Sequence, residues 1–396
     1  MPKLAYRLGL CVFAFAVFAA PLRWRVTLAE RLDPPIYADF TSILLPISLV
    51  AMLVACLLVA LSSPQTQRSI TTQVTFAAEH WLLLALAACM ALSSLTALDP
   101  LLSFWQMAQW LALAGAILWL LRHHTPLFEN GLRVGLMGFV LSQSLISIGQ
   151  VWQQRSLGLA ALGEWALDPQ VRGVSVVMLG DLRFLRAYGL ADHPNMLGGA
   201  LALALLFLLF SPLAAHSRIS RAVITFSHSL GALALYLTFS RAAWLAWGIG
   251  LAVGVGWLVW RRQFAELRHI TIALICAGLV VLSAISVTLP VFANRLDTTS
   301  TLSNAAAQLE RDYLGRAALP LLAQAWLTGL GMGAVPAALK AAYPVFPLDY
   351  QSPHFVPLVV ALELGLLGSG VYILLMLKCA VRLLAAQRLA PLVALL

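Results

Sequence analysis

Charged residues are scarce in this sequence. Aspartate, glutamate, lysine and arginine make up 10% of its 396 residues, whereas about 25% is usual in soluble domains. Hydrophobic residues make up 61%, and they recur in runs of about 17–25 residues, the length that an α-helix needs to cross a bilayer. Solid runs exclude a membrane barrel, whose strands alternate over about ten residues. The pattern predicts an all-α polytopic membrane protein.

Cysteine and nucleotide-binding motifs are also scarce. No Cys/His cluster has zinc spacing, and no glycine-rich loop is followed by Lys-Ser/Thr. Few ionisable residues lie inside the apolar runs, which argues against a proton-coupled transporter. Because the sequence has neither a zinc-spaced Cys/His cluster nor a nucleotide-binding loop, we expect no cofactor. The five cysteines lie inside apolar runs or directly after one, and they form no disulfide framework: Cys11, Cys56, Cys89, Cys276 and Cys379.

Ten apolar runs are candidate membrane spans, and an eleventh begins near Leu389 and is cut at Leu396. We expect about 11–12 transmembrane helices. They form a bundle of nine spans at 1–290 and C-terminal helices at 356–396 that continue past the last residue, separated by a large loop at 291–355. The ten runs lie at 8–21, 43–61, 81–98, 104–121, 132–152, 195–213, 221–239, 242–260, 269–290 and 356–378.

Basic residues in short loops predict the orientation, because they are retained on the cytoplasmic side. The N-terminal segment and each alternate short loop carry at least one, while the intervening loop at 98–103 carries none. This predicts a cytoplasmic N-terminus and places the long loops 153–194 and 291–355 on the outer side. The net charge of +9 favours anionic lipid or phosphate partners and not nucleic acid.

A helix start that suits an anion follows the first long loop, in "RFLRAYGLADHPN" (183–195). Asp192 or His193 can cap the helix and Pro194 fits its first turn, with Asn195 next. Free N–H groups and the positive dipole end at a helix start favour anions. Arg186, just upstream, adds a guanidinium that can bind a phosphate. An ordinary helix start is the competing interpretation.

Arg241 lies in "LTFSRAAW" (237–244), a short turn between two apolar runs. An arginine at membrane depth is costly unless it is paired or faces water, so it is a candidate functional residue. The competing interpretation is an arginine that reaches lipid phosphates.

The large outer loop contains a third group of candidates. Apolar residues recur at helical spacing over 309–333, which predicts an amphipathic helix broken near Pro320 and carrying Arg311 and Arg316. A flexible "GLGMG" turn (329–333) follows.

His354 ends the large loop at the mouth of a membrane helix, in "DYQSPHF" (349–355), which also supplies Tyr350 as a candidate. Histidine titrates near neutral pH and can take a proton from a sugar hydroxyl; a capping histidine is the commoner case. Glu363 follows nine residues later, inside the span, and is interpreted as structural.

In the first outer loop Glu30, Asp33 and Asp39 could bind a divalent cation, although their spacing is not specific. We expect no metal site.

Taken together, "RAYGLADHPN", the Ser-Arg pair at 240–241, the arginine-bearing loop with "GLGMG", and His354 nine residues before Glu363 and "GLLG" resemble the bacterial O-antigen ligases. Their superfamily also contains O-antigen polymerases and pilin-modifying oligosaccharyltransferases. The resemblance covers about residues 185–370. One departure is Phe355, where the family usually has asparagine.

The resemblance implies a GT-C-like, lipid-sugar glycosyltransferase in the inner membrane of a Gram-negative bacterium, with its active site facing the periplasm. The donor would be an O-antigen glycan on undecaprenyl diphosphate and the acceptor lipid A–core oligosaccharide. The reaction would invert the anomeric centre without nucleotide or metal. Arg186 and Arg241 would bind the diphosphate, His354 would be the general base, and Arg311 or Arg316 would assist.

Three alternatives remain open at this point. An O-antigen polymerase or a protein O-oligosaccharyltransferase would use the same donor with another acceptor. A transporter of lipid-linked sugars belongs to a different class, and it would need a charged, water-filled path that the weakly charged runs between 43 and 152 do not favour.

Overall fold

The structure is a computed structural model that describes residues 2–62, 77–123, 125–171, 173–211, 218–296 and 302–385. The predicted run near Leu389 lies outside these residues.

Helices dominate the described chain, and each of the ten predicted runs overlaps one of them. The predicted all-α membrane class is therefore confirmed. The helices are α1 (Pro2–Ala19), α2 (Ile47–Ala60), α3 (Ala77–Leu95), α4 (Pro100–His123), α5 (Thr125–Gln153), α6 (Pro194–Leu209), α7 (Arg218–Leu237), α8 (Arg241–Trp260), α9 (Phe264–Leu296), α10 (Leu302–Gln324), α11 (Val335–Ala342) and α12 (Val356–Ala385).

Five segments of these helices are long and apolar enough to cross a membrane: Pro100–Leu121, Leu127–Gln153, Arg241–Trp260, Phe264–Leu296 and Val356–Leu384. Three more are apolar but shorter: Ile47–Ala60, His80–Leu95 and Pro194–Leu209. The protein is a multi-pass membrane protein.

Two small antiparallel hairpins, absent from the sequence prediction, interrupt the helices. Strands β1 (Arg25–Ala29) and β2 (Ile43–Pro46) form the first, and β3 (Val176–Leu179) and β4 (Leu182–Leu185) form the second. Each strand has only four or five residues, too short for a period-two pattern to stand out in such an apolar sequence.

The chain divides into two compact units. Unit 1 comprises Met1–Phe13, Arg25–Phe128 and Ala305–Val381, and unit 2 comprises Ala14–Trp24, Glu129–Asn304 and Arg382–Leu396. In unit 2, α6 packs against α7 and α8, and α9 runs along α7. Helix α6 is buried along most of its length, so a sequence that is apolar all round beyond Asn195 suits it.

Unit 1 contains a broken membrane helix. At Gly365 the backbone of α12 leaves the helical conformation (φ +64°, ψ −172°), a region that is open almost only to glycine. The break frees backbone groups that the glycine turn after α10 then satisfies. Leu330 N donates to Leu362 O and Leu366 N donates to Trp326 O, both at 2.8 Å. The "GLGMG" turn is therefore clamped to the middle of α12.

Two helices extend further than the sequence predicted. Helix α10 continues through Pro320 to Gln324, where a break was expected. Leu314, Ala318 and Leu321 follow one another at helical spacing and are all buried, so packing on both sides of the proline keeps the helix continuous. Helix α9 likewise passes a distortion at Thr288 and Pro290 and ends at Leu296.

Candidate functional site

The turn between α7 and α8 is the centre of an arginine cluster in unit 2. Phe239 is fully buried and has a left-handed backbone (φ +48°), which is unusual for a bulky residue. Arg186 Nε donates to the carbonyl of Thr238 at 2.7 Å, and Arg295 Nε donates to the carbonyl of Phe239 at 2.8 Å. Two guanidinium groups thus hold successive carbonyls of a strained turn.

The guanidinium of Arg186 donates its hydrogen bonds to other groups of the protein. It is only 4% exposed, and besides Thr238 its guanidinium donates to Ser175 Oγ at 2.7 Å and Asn195 Oδ1 at 2.6 Å. The adjacent Ala187 N donates to Leu237 O at 2.9 Å. Arg186 therefore ties the end of β4, the start of α6 and the α7–α8 turn together, and it brings a buried positive charge to them.

His193 caps α6, which confirms one of the two capping residues that the sequence allowed. Its Nδ1 accepts from Asn195 N at 3.1 Å, and Pro194 occupies the first turn. The other candidate cap, Asp192, instead forms an ion pair with Arg23 at 3.1 Å.

Arg241 is the first residue of α8, and it is half-buried. Its Nη1 makes a long hydrogen bond to Arg295 O, at 3.5 Å, and within the described ranges it forms no ion pair. Ser240 precedes it without a side-chain capping bond. A cation at this end of a helix opposes the helix dipole and costs roughly 0.3–1 kcal/mol. A bound anion would remove that cost.

The first turns of α6 and α8 pack directly against each other through Gly198. A Cβ on this glycine would lie 3.0 Å from Ala243 Cβ and 3.1 Å from Ser240 Cβ. Two helix N-termini therefore lie side by side, next to Arg186 and Arg241. Positive dipole ends and guanidinium groups both favour a phosphate-type ligand.

In unit 1, His354 lies in the segment before α12 and is exposed. Partial burial of the ring and the positive charge of Arg311 lower its pKa, and the negative charge of Glu310 opposes them. The net effect is a pKa below the ordinary value of 6.5, so the imidazole is neutral at pH 7. Only the neutral form can accept a proton.

Of the two loop arginines, Arg311 and not Arg316 contributes to the lowered pKa of His354 through its charge. Arg311 precedes the buried residues Leu314 and Ala318 by three and seven positions, so it lies on the packed side of α10. Arg316 is exposed.

Tyr350 belongs to the core of unit 1. It is 2% exposed, its ring stacks on Phe346, and its hydroxyl donates to Tyr343 O at 2.6 Å. This arrangement supports the segment that ends at His354.

Part of the chain that includes several of these site residues matches a known family model. Residues 222–373 match the family model described as O-antigen ligase. Over these residues the chain is similar to the O-antigen ligases, and the segment is named the O-antigen ligase domain after that model. The match confirms the predicted family, and no curated protein matches the chain. The domain contains Arg241, Arg311, Arg316 and His354, whereas Arg186, His193 and Asn195 precede it.

The O-antigen ligase domain also contains Arg295, which the sequence interpretation missed. The predicted span ended at 290, so Arg295 was assigned to the solvated loop. Because α9 instead continues to Leu296, Arg295 lies on its last turn, where it reaches Phe239 O. The helical spacing of apolar residues past Pro290 could have predicted the longer helix. The proline instead suggested that the helix ends there.

Glu363 has a structural role in the domain, as the sequence interpretation held. Its carboxylate accepts from Gly333 N at 3.0 Å and its carbonyl from Gly331 N at 3.1 Å. Two of the three acidic residues of the first outer loop also form ion pairs. Asp39 pairs with Arg25 at 2.7 Å and Asp33 with Lys340. In the part of the chain that the structure describes, no three His, Cys, Asp or Glu residues are grouped to hold a metal ion.

Proposed function

We propose that the protein transfers an O-antigen glycan from undecaprenyl diphosphate to lipid A–core oligosaccharide at the periplasmic face of the inner membrane, with inversion and without a metal. The observation that carries this proposal is the arginine cluster at the paired starts of α6 and α8. Arg241 is a half-buried cation at a helix N-terminus that has no ion pair among the described residues, and the O-antigen ligase domain includes it.

The proposed chemistry needs positive charge where the diphosphate leaves. As the bond from the anomeric carbon to the phosphate oxygen breaks, negative charge grows on that oxygen. Arg241 binds the diphosphate directly, with the two helix N-termini beside it. Arg186 contributes its buried charge and holds the turn through Thr238 O, and Arg295 holds the same turn through Phe239 O. These cations take the part that a metal ion plays in other transferases.

His354 accepts the proton of the acceptor hydroxyl. The hydroxyl oxygen forms the new bond to the anomeric carbon on the face opposite the diphosphate, so the configuration inverts, and the proton passes to the neutral imidazole. The lowered pKa keeps His354 in its basic form at neutral pH. Arg311 maintains that state through its charge.

The test is reconstitution of the purified protein in liposomes with undecaprenyl-diphosphate glycan, lipid A–core and EDTA. We expect glycan on lipid A–core, resolved by size, and about 10²–10⁴-fold slower transfer with the His354→Ala variant. Longer glycan that stays on undecaprenyl diphosphate would instead establish a polymerase, which the family match also accommodates. Movement of donor across the bilayer without new bonds would establish a transporter. A requirement for added Mg²⁺ would overturn the metal-free mechanism.

A further inference from the structure

Unit 1 contains a cavity of about 470 Å³ that the proposed chemistry does not use. It lies between the end of α10, the glycine turn that follows, helix α11 and the segment after α3. Its volume is in the range of small-ligand sites, roughly 300–1,000 Å³.

The lining of the cavity is neutral but not wholly apolar. None of its lining residues is charged, and alanines of α11, including Ala338 and Ala341, form one wall. Three side chains supply hydrogen-bonding groups. Thr96 donates to Ser93 O at 3.2 Å, while the side chains of Gln324 and Thr328 make no hydrogen bond to any described residue. Their donors and acceptors are free for a ligand.

The glycine turn gives the cavity a fixed wall. Gly329 has φ +82°, and a Cβ there would lie 2.3 Å from Glu363 O. The next residue, Leu330, donates its N–H to Leu362 O at 2.8 Å. Because the turn is clamped to α12, the cavity is formed before any ligand enters, and preorganisation lowers the entropic cost of binding.

We propose that this cavity binds an uncharged sugar unit of the acceptor oligosaccharide. An amide and hydroxyl groups both donate and accept hydrogen bonds, as sugar hydroxyls require, and the alanine wall leaves room for a ring. A phosphate would find no cation here. A hydrocarbon chain would cover the amide of Gln324 and the hydroxyl of Thr328 without giving them partners.

The position of the cavity suits a sugar remote from the reacting one. Gln324 lies thirteen residues beyond Arg311 on α10, which is roughly 20 Å along a helix. Since His354 acts near Arg311, the sugar in the cavity is several units from the attacked hydroxyl. This inference rests on the proposed function, because it takes the acceptor of that reaction as the ligand.

Steady-state kinetics test the assignment. A remote contact that is equal in the ground and transition states changes KM and leaves kcat unchanged. We expect Gln324→Ala and Thr328→Val each to raise the KM for lipid A–core about fivefold, the effect of one lost hydrogen bond, with kcat and the KM for the donor within about twofold. Ala341→Phe, which fills the cavity, should raise the acceptor KM further. The exposed Gln263 of unit 2 provides a matched control, Gln263→Ala.

A binding measurement separates this inference from the proposed function. Lipid-free core oligosaccharide is added to the protein in nanodiscs and followed by saturation-transfer NMR. A saturation-transfer signal from the oligosaccharide that the Ala341→Phe variant abolishes would support binding in the cavity, even if glycan transfer failed. Normal transfer with unchanged acceptor KM in all three cavity variants would overturn it while leaving the function intact. Equal thermal unfolding midpoints establish that the variants are folded, and a raised donor KM would assign the cavity to the donor and overturn the proposal.

Discussion

Arg295 and Phe239 are joined by a 2.8 Å hydrogen bond from a guanidinium Nε to a carbonyl oxygen. The bond links the last turn of α9 to the strained turn that begins α8, and the carbonyl of Arg295 in turn accepts from Arg241. Arg241 is therefore presented by a turn whose shape depends on other arginines. Arg241 is thus the candidate direct ligand of the diphosphate, whereas Arg295 positions the turn that carries it.

Replacing Arg241 should weaken donor binding. Loss of a charged hydrogen-bond donor costs about 1.5–3 kcal/mol, so Arg241→Ala should raise the donor KM by roughly 10–100-fold. Arg241→Lys should recover only part of this, since lysine keeps the charge but not the planar fork. The measurement is initial rate against undecaprenyl-diphosphate glycan. Arg268→Ala, at an exposed arginine of the same unit, is the control, and equal donor KM values for the two alanine variants would contradict the assignment.

Replacing Arg186 should destabilise unit 2. Arg186→Met leaves Thr238 O, Ser175 Oγ and Asn195 Oδ1 without their donor, so the free energy of unfolding should fall by about 3 kcal/mol. Denaturation in mixed detergent micelles measures this. Unchanged stability with a raised donor KM would instead identify Arg186 as a direct diphosphate ligand.

His354→Ala should lower kcat by about 10²–10⁴-fold, the usual contribution of a general base. Because the residue is exposed, the unfolding midpoint should stay the same. Single-turnover rates measure the chemical step. Near-normal turnover in folded protein would remove His354 from the mechanism.

The pH profile should respond to the neighbours of His354 in opposite directions. The base must be neutral, so activity falls as pH drops through its pKa, which lies below 6.5 in the folded protein. Arg311→Ala removes a charge that lowers this pKa, so the acidic limb of kcat/KM should move to higher pH. Glu310→Gln removes the charge that raises it, so the limb should move to lower pH. Arg316→Ala should leave the limb in place; a shift equal to that of Arg311→Ala would reverse the choice between the two arginines.

The break in α12 should tolerate no side chain. Gly365→Ala requires an almost glycine-only backbone and places a Cβ 2.3 Å from Leu327 O, so stability should fall by more than about 2 kcal/mol. Gly370 lies in the same helix and a Cβ there meets nothing within 4 Å. Gly370→Ala should therefore be neutral or slightly stabilising. Similar unfolding curves for the two variants would mean that the clamp does not depend on Gly365.

The sequence was sufficient for the class of the fold and for the grouping of Arg186 with Asn195. Long apolar runs predict helices wherever they occur, and a proline after a capping residue marks a helix start. Arg295 was missed because Pro290 resembles a helix end, yet packing carried α9 past it. Packing likewise kept α10 continuous through Pro320. Arg311 and Arg316 were indistinguishable because the side of a helix that becomes buried depends on tertiary contacts, here those of Leu314 and Ala318.

The order of the segments in the two units has a consequence for biogenesis. Most of unit 2 is one continuous stretch, Glu129–Asn304, whereas unit 1 joins Arg25–Phe128 to Ala305–Val381. At a synthesis rate of about 5–20 residues per second, the ribosome needs roughly 10–35 s to make the intervening stretch. During that interval the early helices of unit 1 are already in the bilayer without the turn that closes on α12. The segment that carries His354 is thus synthesised after all the residues of the arginine cluster.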